Sequence, residues 1–193
     1  RVASMKNPIR LGLIGCGGIV QQQHVPTLLE LDEVEIAALA DPMEDNLSSV
    51  GQTTGVHTDQ RYTDYRDMLS RESIDAAIIA TPHNLHAQQA IDVAKAGLTV
   101  ISEKPMAISL EQASDVLDSV RRHRVVYSVI HNAMFTPGSI SAMELLRSGE
   151  FPAPEVGRAK SLSAMTAENH YSNSARMWRA SKASGGGCIS DTC

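Results

Sequence analysis

Apolar residues occur along this chain in short runs, separated by segments with a helical spacing. Each run is followed by a glycine, an acid or another polar residue. Short apolar runs that end in this way are typical of strands covered on both faces, as in parallel sheets. The predicted strands are IRLGLI (9–14), VEIAALA (34–40), IDAAIIA (74–80), LTVIS (98–102) and VVYSVI (125–130).

The segments between these runs predict helices. Residues 84–96 and 110–122 each carry apolar side chains at spacings of three and four, which places those side chains on one helix face. Gly97 follows the first segment as a stop, and Ser109 with Gln112 forms the pattern of a capping box before the second. Strand and helix signals therefore alternate, which predicts an α/β fold with a doubly wound parallel sheet.

The pattern changes after the fifth apolar run. The chain then carries a predicted helix (PGSISAMELLRSGE, 137–150), a predicted strand of the alternating kind (EVGRAKSLSAMTAE, 155–168) and a glycine-rich turn (SKASGGGCISDTC, 181–193). We therefore expect one domain over residues 6–131 and the start of a second over residues 132–193.

Composition and charge narrow the class of protein. The chain is 42% apolar and 20% charged, and its net charge is -5, which disfavours a general nucleic-acid binder. The basic cluster at 121–124 falls at a predicted helix end, where it complements the helix dipole. Three cysteines fit a reducing compartment, so we expect a cytoplasmic protein. No apolar run approaches the ~18 residues of a membrane span, and we expect no membrane partner.

A glycine turn follows the first predicted strand. Its sequence is Gly15-Cys16-Gly17-Gly18-Ile19-Val20, with a predicted helix after it. Glycines here allow a tight turn and let the backbone approach a pyrophosphate at the N-terminus of the next helix. The third fingerprint position is Val20 where glycine or alanine is usual. We expect residues 15–19 to bind a dinucleotide, and the alternative is a turn without a ligand.

Asp41 closes the second predicted strand, 21 residues after Val20. A carboxylate at this position accepts hydrogen bonds from an adenosine ribose 2′-hydroxyl and repels a 2′-phosphate. No arginine lies in residues 42–50 to neutralise such a phosphate. We therefore expect NAD, with NADP less favoured. The alternative is a turn or helix-capping aspartate before Pro42, and the two roles are compatible.

Other polar residues also follow predicted strands. Thr81 and Pro82 come after the third run, and Glu103 and Lys104 come after the fourth. In an open α/β sheet, ligands bind beyond the carboxyl ends of the strands. These residues and the glycine turn therefore predict one site along that edge.

Together these residues resemble the Gfo/Idh/MocA oxidoreductases, the family of glucose–fructose oxidoreductase and inositol dehydrogenase. The most specific features are Glu-Lys-Pro at 103–105 and Thr-Pro-x-x-x-His at 81–86. The resemblance implies an NAD(P)-dependent dehydrogenase that acts on a sugar, polyol or related hydroxy compound. It also implies a Rossmann domain followed by an α/β domain with an open, mainly antiparallel sheet. The segments that carry the resemblance are GLIGCGGIVQQQHVPTL, ALADP, ATPHNLHAQQAIDVAKAGLTVISEKPMA, HNAMFTP and WRASKASGGGCISD.

The resemblance assigns roles to individual residues. Lys104 would hydrogen-bond the reacting substrate oxygen, and Glu103 would position that lysine or the nicotinamide ribose. His86 and Asn132 would lie near the cofactor, and Asp191 would belong to a substrate-side acid/base pair. The alternatives are a surface amine for Lys104, a capping or packing role for His86, and a turn asparagine at position 132.

One departure from the family concerns the acid/base pair. The family pattern is Asp-x-Gly-x-His, but Cys193 stands where glycine is expected, and the histidine would come two residues later. We therefore expect an incomplete chain with little turnover, and a homo-oligomer when complete. No third ligand joins His83 and His86, so we expect no metal. One rival is a nucleotide-binding sensor or regulatory module without turnover, and the other is an inactive fragment.

Overall fold

The computed structural model describes residues 7–150 and 182–184. Six parallel strands form one sheet in the order β3-β2-β1-β4-β5-β6. This order confirms the predicted doubly wound sheet and puts the switch of winding direction between β1 and β4. The strands are β1 (Ile9–Ile14), β2 (Val34–Ala40), β3 (Arg61–Tyr62), β4 (Ala76–Ile79), β5 (Thr99–Glu103) and β6 (Tyr127–Ile130).

Helices connect these strands and cover the sheet. The first begins with a π-helical turn at Val20–His24 and continues as α1 (Val25–Leu28). None of the helices in the described part of the chain is long and apolar enough to cross a membrane. The others are α2 (Glu44–Thr54), α3 (Tyr65–Arg71), α4 (His83–Lys95), α5 (Leu110–His123) and α6 (Pro137–Arg147), with 3-10 turns at Thr58–Gln60, Asn132–Phe135 and Lys182–Ser184.

The sheet separates two apolar cores. Successive strand side chains point to opposite faces, so Leu13 packs with α1 and α2 while Ile14 packs with α4 and α5. Ala76 and Ala77 divide between the two cores in the same way. Both faces of the central strands are therefore buried, which explains why these strands are apolar runs without polar alternation.

The predicted elements differ from the structure mainly at their ends. Helices predicted at 84–96 and 110–122 are found at His83–Lys95 and Leu110–His123. Ser109 caps α5 by accepting from the N–H of Gln112 at 3.2 Å, while Gln112 Oε1 accepts from the N–H of Ile108. The capping box therefore forms with its return bond displaced by one residue.

The strands predicted at 9–14 and 34–40 are confirmed as β1 and β2, and the strand predicted at 98–102 is found one residue later as β5. The predictions missed β3, and two predicted strands are too long. The strand predicted at 74–80 is four residues long, and the strand predicted at 125–130 begins at Tyr127. β3 consists of Arg61 and Tyr62 and pairs only with the end of β2. Two residues, one of them charged, give no periodic signal, so this edge strand was not predicted.

The helix predicted after β6 is confirmed as α6, and Gly149 follows it with a φ of 76°. The strand predicted at 155–168 lies outside the described residues, as does the glycine-rich turn apart from residues 182–184. The division into domains at 6–131 and 132–193 and the antiparallel second sheet therefore stay predictions.

The chain is tightly packed at the end of β1. The N–H of Gly15 donates to the carbonyl of Ala40 at 2.7 Å, and the N–H of Ala80 donates to the carbonyl of Ile14 at 2.8 Å. Gly15 has a φ of 92°, and a Cβ atom at this position would lie 2.6 Å from the carbonyl oxygen of Ala80. Both the backbone conformation and the space therefore require glycine.

We predict that Gly15→Ala destabilises the protein by about 3 kcal/mol, because it combines a left-handed φ with a backbone clash. Gly55→Ala is the matched control. Gly55 also has a positive φ, of 77°, but a Cβ there meets no atom of residues 7–150 and 182–184 within 4 Å, its chain neighbours aside. The control should lose only about 1–2 kcal/mol. Urea unfolding of both variants measures the difference, and equal losses would show that the clash at Ala80 is absent.

Candidate functional site

The glycine turn lies at the carboxyl end of β1, where the sheet changes its winding direction. Apart from its chain neighbours, a Cβ atom at Gly17 would meet no atom of the described residues within 4 Å, and Gly18 is exposed. The helix that follows starts here, since the N–H of Gln21 donates to the carbonyl of Gly17 at 3.1 Å. The turn thus presents backbone and a helix N-terminus to open space, an arrangement that suits an anion.

Cys16 contributes its backbone to this turn, and its side chain belongs to the core. Its thiol is fully buried, and burial followed by the nearby Asp41 carboxylate raises its pKa to about 12. The thiol is therefore neutral and unsuited to nucleophilic chemistry. Ile19 is half-buried at the helix start, while Val20 is fully buried. The valine at the third fingerprint position therefore packs in the core below the turn.

Asp41 faces the glycine turn from the end of β2. Its Oδ2 atom accepts from the N–H of Cys16 at 2.7 Å, and its Oδ1 atom accepts from the N–H of Met43 at 2.8 Å. Asn46 Nδ2 donates to the same Oδ1 at 3.2 Å. The bond from the N–H of Met43 is the turn-capping role that the sequence left open for Asp41. Pro42 does not direct the carboxylate away from the glycine turn.

The end of β4 leads directly into α4. The Thr81 hydroxyl donates to Gln89 Oε1 at 2.5 Å, and Pro82 precedes the first helical residue. In the first turn of α4, Asn84 Oδ1 is buried, and no donor in the described residues reaches it. A buried acceptor without a donor beside the strand ends is a position where a bound ligand would supply the missing hydrogen bond.

His86 lies deeper in α4 and is fully buried. Its Nε2 atom lies 2.7 Å from the carbonyl oxygen of Thr81, and its Nδ1 atom lies 2.7 Å from that of Pro105. The ring therefore connects the end of β4 to the turn after β5. Both ring nitrogens contact main-chain carbonyl oxygens. Any effect of His86 on a ligand is therefore indirect and passes through the two turns that it contacts.

The Glu-Lys-Pro turn begins at the last residue of β5. Glu103 Oε1 lies 2.9 Å from His24 Nε2, and Glu103 Oε2 accepts from the N–H of Lys104 at 3.2 Å. Burial acts to raise the pKa of the Glu103 carboxyl, but the hydrogen bond and charge of His24 and the contacts with Lys104 outweigh it, so the pKa is lowered. Glu103 is therefore an anion next to the half-buried Lys104.

His24 is a residue that the sequence did not identify. Its side chain is 12% exposed and that of Glu103 is 13% exposed, so the pair is largely shielded from water. The two residues are 79 positions apart in the chain. A lone histidine after three glutamines has no local partner, so only the fold reveals the contact.

Asn132 lies at the same edge, where the chain leaves β6. It is exposed, and its Nδ2 atom donates to Gln23 Oε1 at 3.4 Å. Asp191 lies outside the described residues. Within residues 7–150 and 182–184, no three His, Cys, Asp or Glu side chains are grouped as metal ligands would be.

The residues present fit a dinucleotide. The open space at Gly17 admits a pyrophosphate against backbone and a helix N-terminus. Asp41 lies beside that turn, at the position expected for an adenosine ribose. Asn84 offers an acceptor that the described protein atoms leave unused.

Comparison with known proteins identifies the family of this chain. The GFO_IDH_MocA family, described as an oxidoreductase family with an NAD-binding Rossmann fold, matches residues 9–131. The chain is 34% identical to the rhizopine catabolism protein MocA of Rhizobium meliloti, over 72% of this chain and 43% of that protein. It is 32% identical to a D-apiose dehydrogenase of Paraburkholderia graminis, over 79% of this chain and 40% of the relative.

A solved structure has a similar fold. The chain superposes with a TM-score of 0.70 and 29% identity on the WlbA dehydrogenase of Bordetella pertussis, which was crystallised with NADH and UDP-GlcNAcA. The match covers 75% of this chain and 42% of that one, so the chain spans less than half the length of these relatives. The family model matches residues 9–131, which include all six strands of the sheet, so the chain belongs to the Gfo/Idh/MocA oxidoreductases.

Proposed function

We propose that the protein to which this chain belongs is a dehydrogenase that moves hydride between NAD and a hydroxyl-bearing carbon of a sugar, polyol or related compound. The observation that carries the proposal is the position of the Glu103–Lys104 pair. It lies at the carboxyl end of β5, on the sheet edge that also holds the open glycine turn. The relative named D-apiose dehydrogenase and the WlbA dehydrogenase crystallised with UDP-GlcNAcA support the substrate class.

A lysine amine at this position suits the expected chemistry. The bound nicotinamide would supply the hydride acceptor or donor. Oxidation of a carbinol also releases the hydroxyl proton, which a base must accept, and the negative charge that develops on the oxygen needs a stabilising partner. The Lys104 side chain would hydrogen-bond that oxygen, and Glu103, held by His24, would fix the backbone from which the lysine extends. Asp191 would act from the substrate side.

The rival is a nucleotide-binding sensor without turnover. Such a module needs the glycine turn and Asp41, but it has no use for a lysine beside the nicotinamide. The shielded Glu103 carboxylate, hydrogen-bonded to His24 next to Lys104, favours the enzyme, because burying a charged group is costly and a sensor would have no use for that charge beside the lysine. Homo-oligomerisation and a cytoplasmic location stay predictions from the sequence.

The first test concerns the glycine turn. We predict that Gly17→Ala weakens NADH binding at least about tenfold, because its methyl group enters the space that the pyrophosphate needs. Protein stability should not change, since in the described part of the chain only the neighbours of Gly17 in sequence lie near that methyl group. Gly138→Ala is the matched control, being equally unobstructed but in α6. Fluorescence titration with NADH and urea unfolding measure the two effects, and unchanged affinity would remove the pyrophosphate from this turn.

The second test concerns the choice of dinucleotide. We expect NADH to bind at least about tenfold more tightly than NADPH, because the Asp41 carboxylate repels a 2′-phosphate. Asp41→Ser should reduce this ratio and should also weaken both ligands, since the Cys16 and Met43 N–H groups lose their acceptor. Asn46→Ala, which removes one neutral donor, should keep the ratio. Equal binding of NADPH by the wild type would contradict the assignment.

The third test concerns Lys104. In the full-length protein, Lys104→Ala should lower kcat by about 10²–10³ because the developing oxyanion loses its partner. NADH affinity should stay within about threefold. Lys95→Ala is the control, since Lys95 is an exposed cation at the end of α4. A variant that loses NADH binding but keeps kcat at saturation would place Lys104 on the dinucleotide.

A further inference from the structure

Lys104 lies between two residues that are each held by a histidine from a different helix. On one side is Glu103, whose carboxylate contacts His24 of the first helix at 2.9 Å. On the other side is Pro105, whose carbonyl oxygen contacts His86 of α4 at 2.7 Å. Both histidines are shielded from water, with the His24 side chain 12% exposed and His86 fully buried.

The two contacts of His86 join separate parts of the site. Its ring nitrogens lie 2.7 Å from the carbonyl oxygens of Thr81, after β4, and of Pro105, after β5. Among the described residues, the ring of His83 also lies against His86, with the ring centroids 5.7 Å apart. The fully buried His86 ring therefore fills the space between the two turns and limits the movement of the Pro105 carbonyl.

We propose that His24 and His86 are positioning residues that together fix the backbone on both sides of Lys104 and thereby set the place of its amine in the reaction. The inference rests on the proposed function of Lys104. It adds two residues, on the first helix and on α4, that touch neither the substrate nor the hydride path. They act through the Glu103 carboxylate and the Pro105 carbonyl.

The energetic reason is that catalysis is sensitive to small displacements of the reacting groups. A shift of about 1 Å in a reacting group costs on the order of 10²-fold in rate. A lysine has a long flexible side chain, so its amine is placed only as well as its backbone and neighbours allow. A turn with its two flanking residues each hydrogen-bonded to a buried ring has little freedom to move. Removing one ring should therefore affect turnover more than binding.

The kinetic experiment uses the full-length protein and His24. We expect His24→Leu to lower kcat about 10–100-fold, with the substrate KM and the NADH Kd each within about threefold. His24→Gln keeps a side-chain N–H donor and should recover most of the loss. In a Glu103→Ala background, His24→Leu should have no further effect, because the histidine acts through that carboxylate. His57→Leu, which removes an exposed histidine paired with Asp59, should leave kcat unchanged.

The second experiment uses the full-length protein and His86. We expect His86→Leu to lower kcat about 10–100-fold and to speed hydrogen exchange at the Lys104 amide, because the Pro105 carbonyl loses its neighbour. His86→Gln keeps a side-chain N–H donor and should recover part of the loss. An unchanged kcat in His24→Leu or in His86→Leu would overturn the inference, and so would a joint loss of kcat and NADH affinity, since it would make the histidine a cofactor ligand. A wild-type protein that binds no dinucleotide would instead overturn the proposed function, and wild-type NADH binding measured beside the variants separates the two failures.

Discussion

The close approach of β1 to β4 at Gly15 is the constraint on which the site depends. A doubly wound sheet changes its winding direction between these strands, and their carboxyl ends open a crevice. Gly15 turns the chain out of the sheet while its backbone contacts that of Ala80 and bonds to Ala40. Any side chain at this position would push the two strands apart. The crevice would then lose the shape that brings the glycine turn beside the end of β4.

The close packing at this edge of the sheet also determines how its carboxylates are held. Asp41 and Glu103 are carboxylates in positions with little solvent, and such groups need donors around them. Asp41 receives two backbone N–H groups and an amide, and Glu103 receives His24 and a backbone N–H. Each carboxylate therefore organises a turn as well as carrying a charge. This dual role means that a substitution at either position changes local structure and ligand contacts together.

The sequence predicted the central strands because both faces of those strands are buried, so their composition alone is diagnostic. It predicted the glycine turn and Asp41 because a backbone approach and a strand-end acid require particular residue types at particular spacings. It did not predict β3, whose two residues depend on the edge of β2, or the His24–Glu103 pair, whose partners are distant in the chain. It also did not show that His86 is enclosed between two carbonyls. Such contacts depend on tertiary geometry, which residue spacing does not encode.

The π-helical turn at Val20–His24 supplies several of the contacts that join the strand ends. Its winding is wider than that of an α-helix, as the bond from the N–H of Val25 to the carbonyl of Val20 shows. Gln21 donates to the carbonyl of Cys16, Gln23 contacts Asn132, and His24 reaches Glu103. Three side chains of one turn thus reach the ends of β1, β6 and β5. The same helix also presents its N-terminus to the glycine turn, so one short segment contacts both that turn and Glu103 beside Lys104.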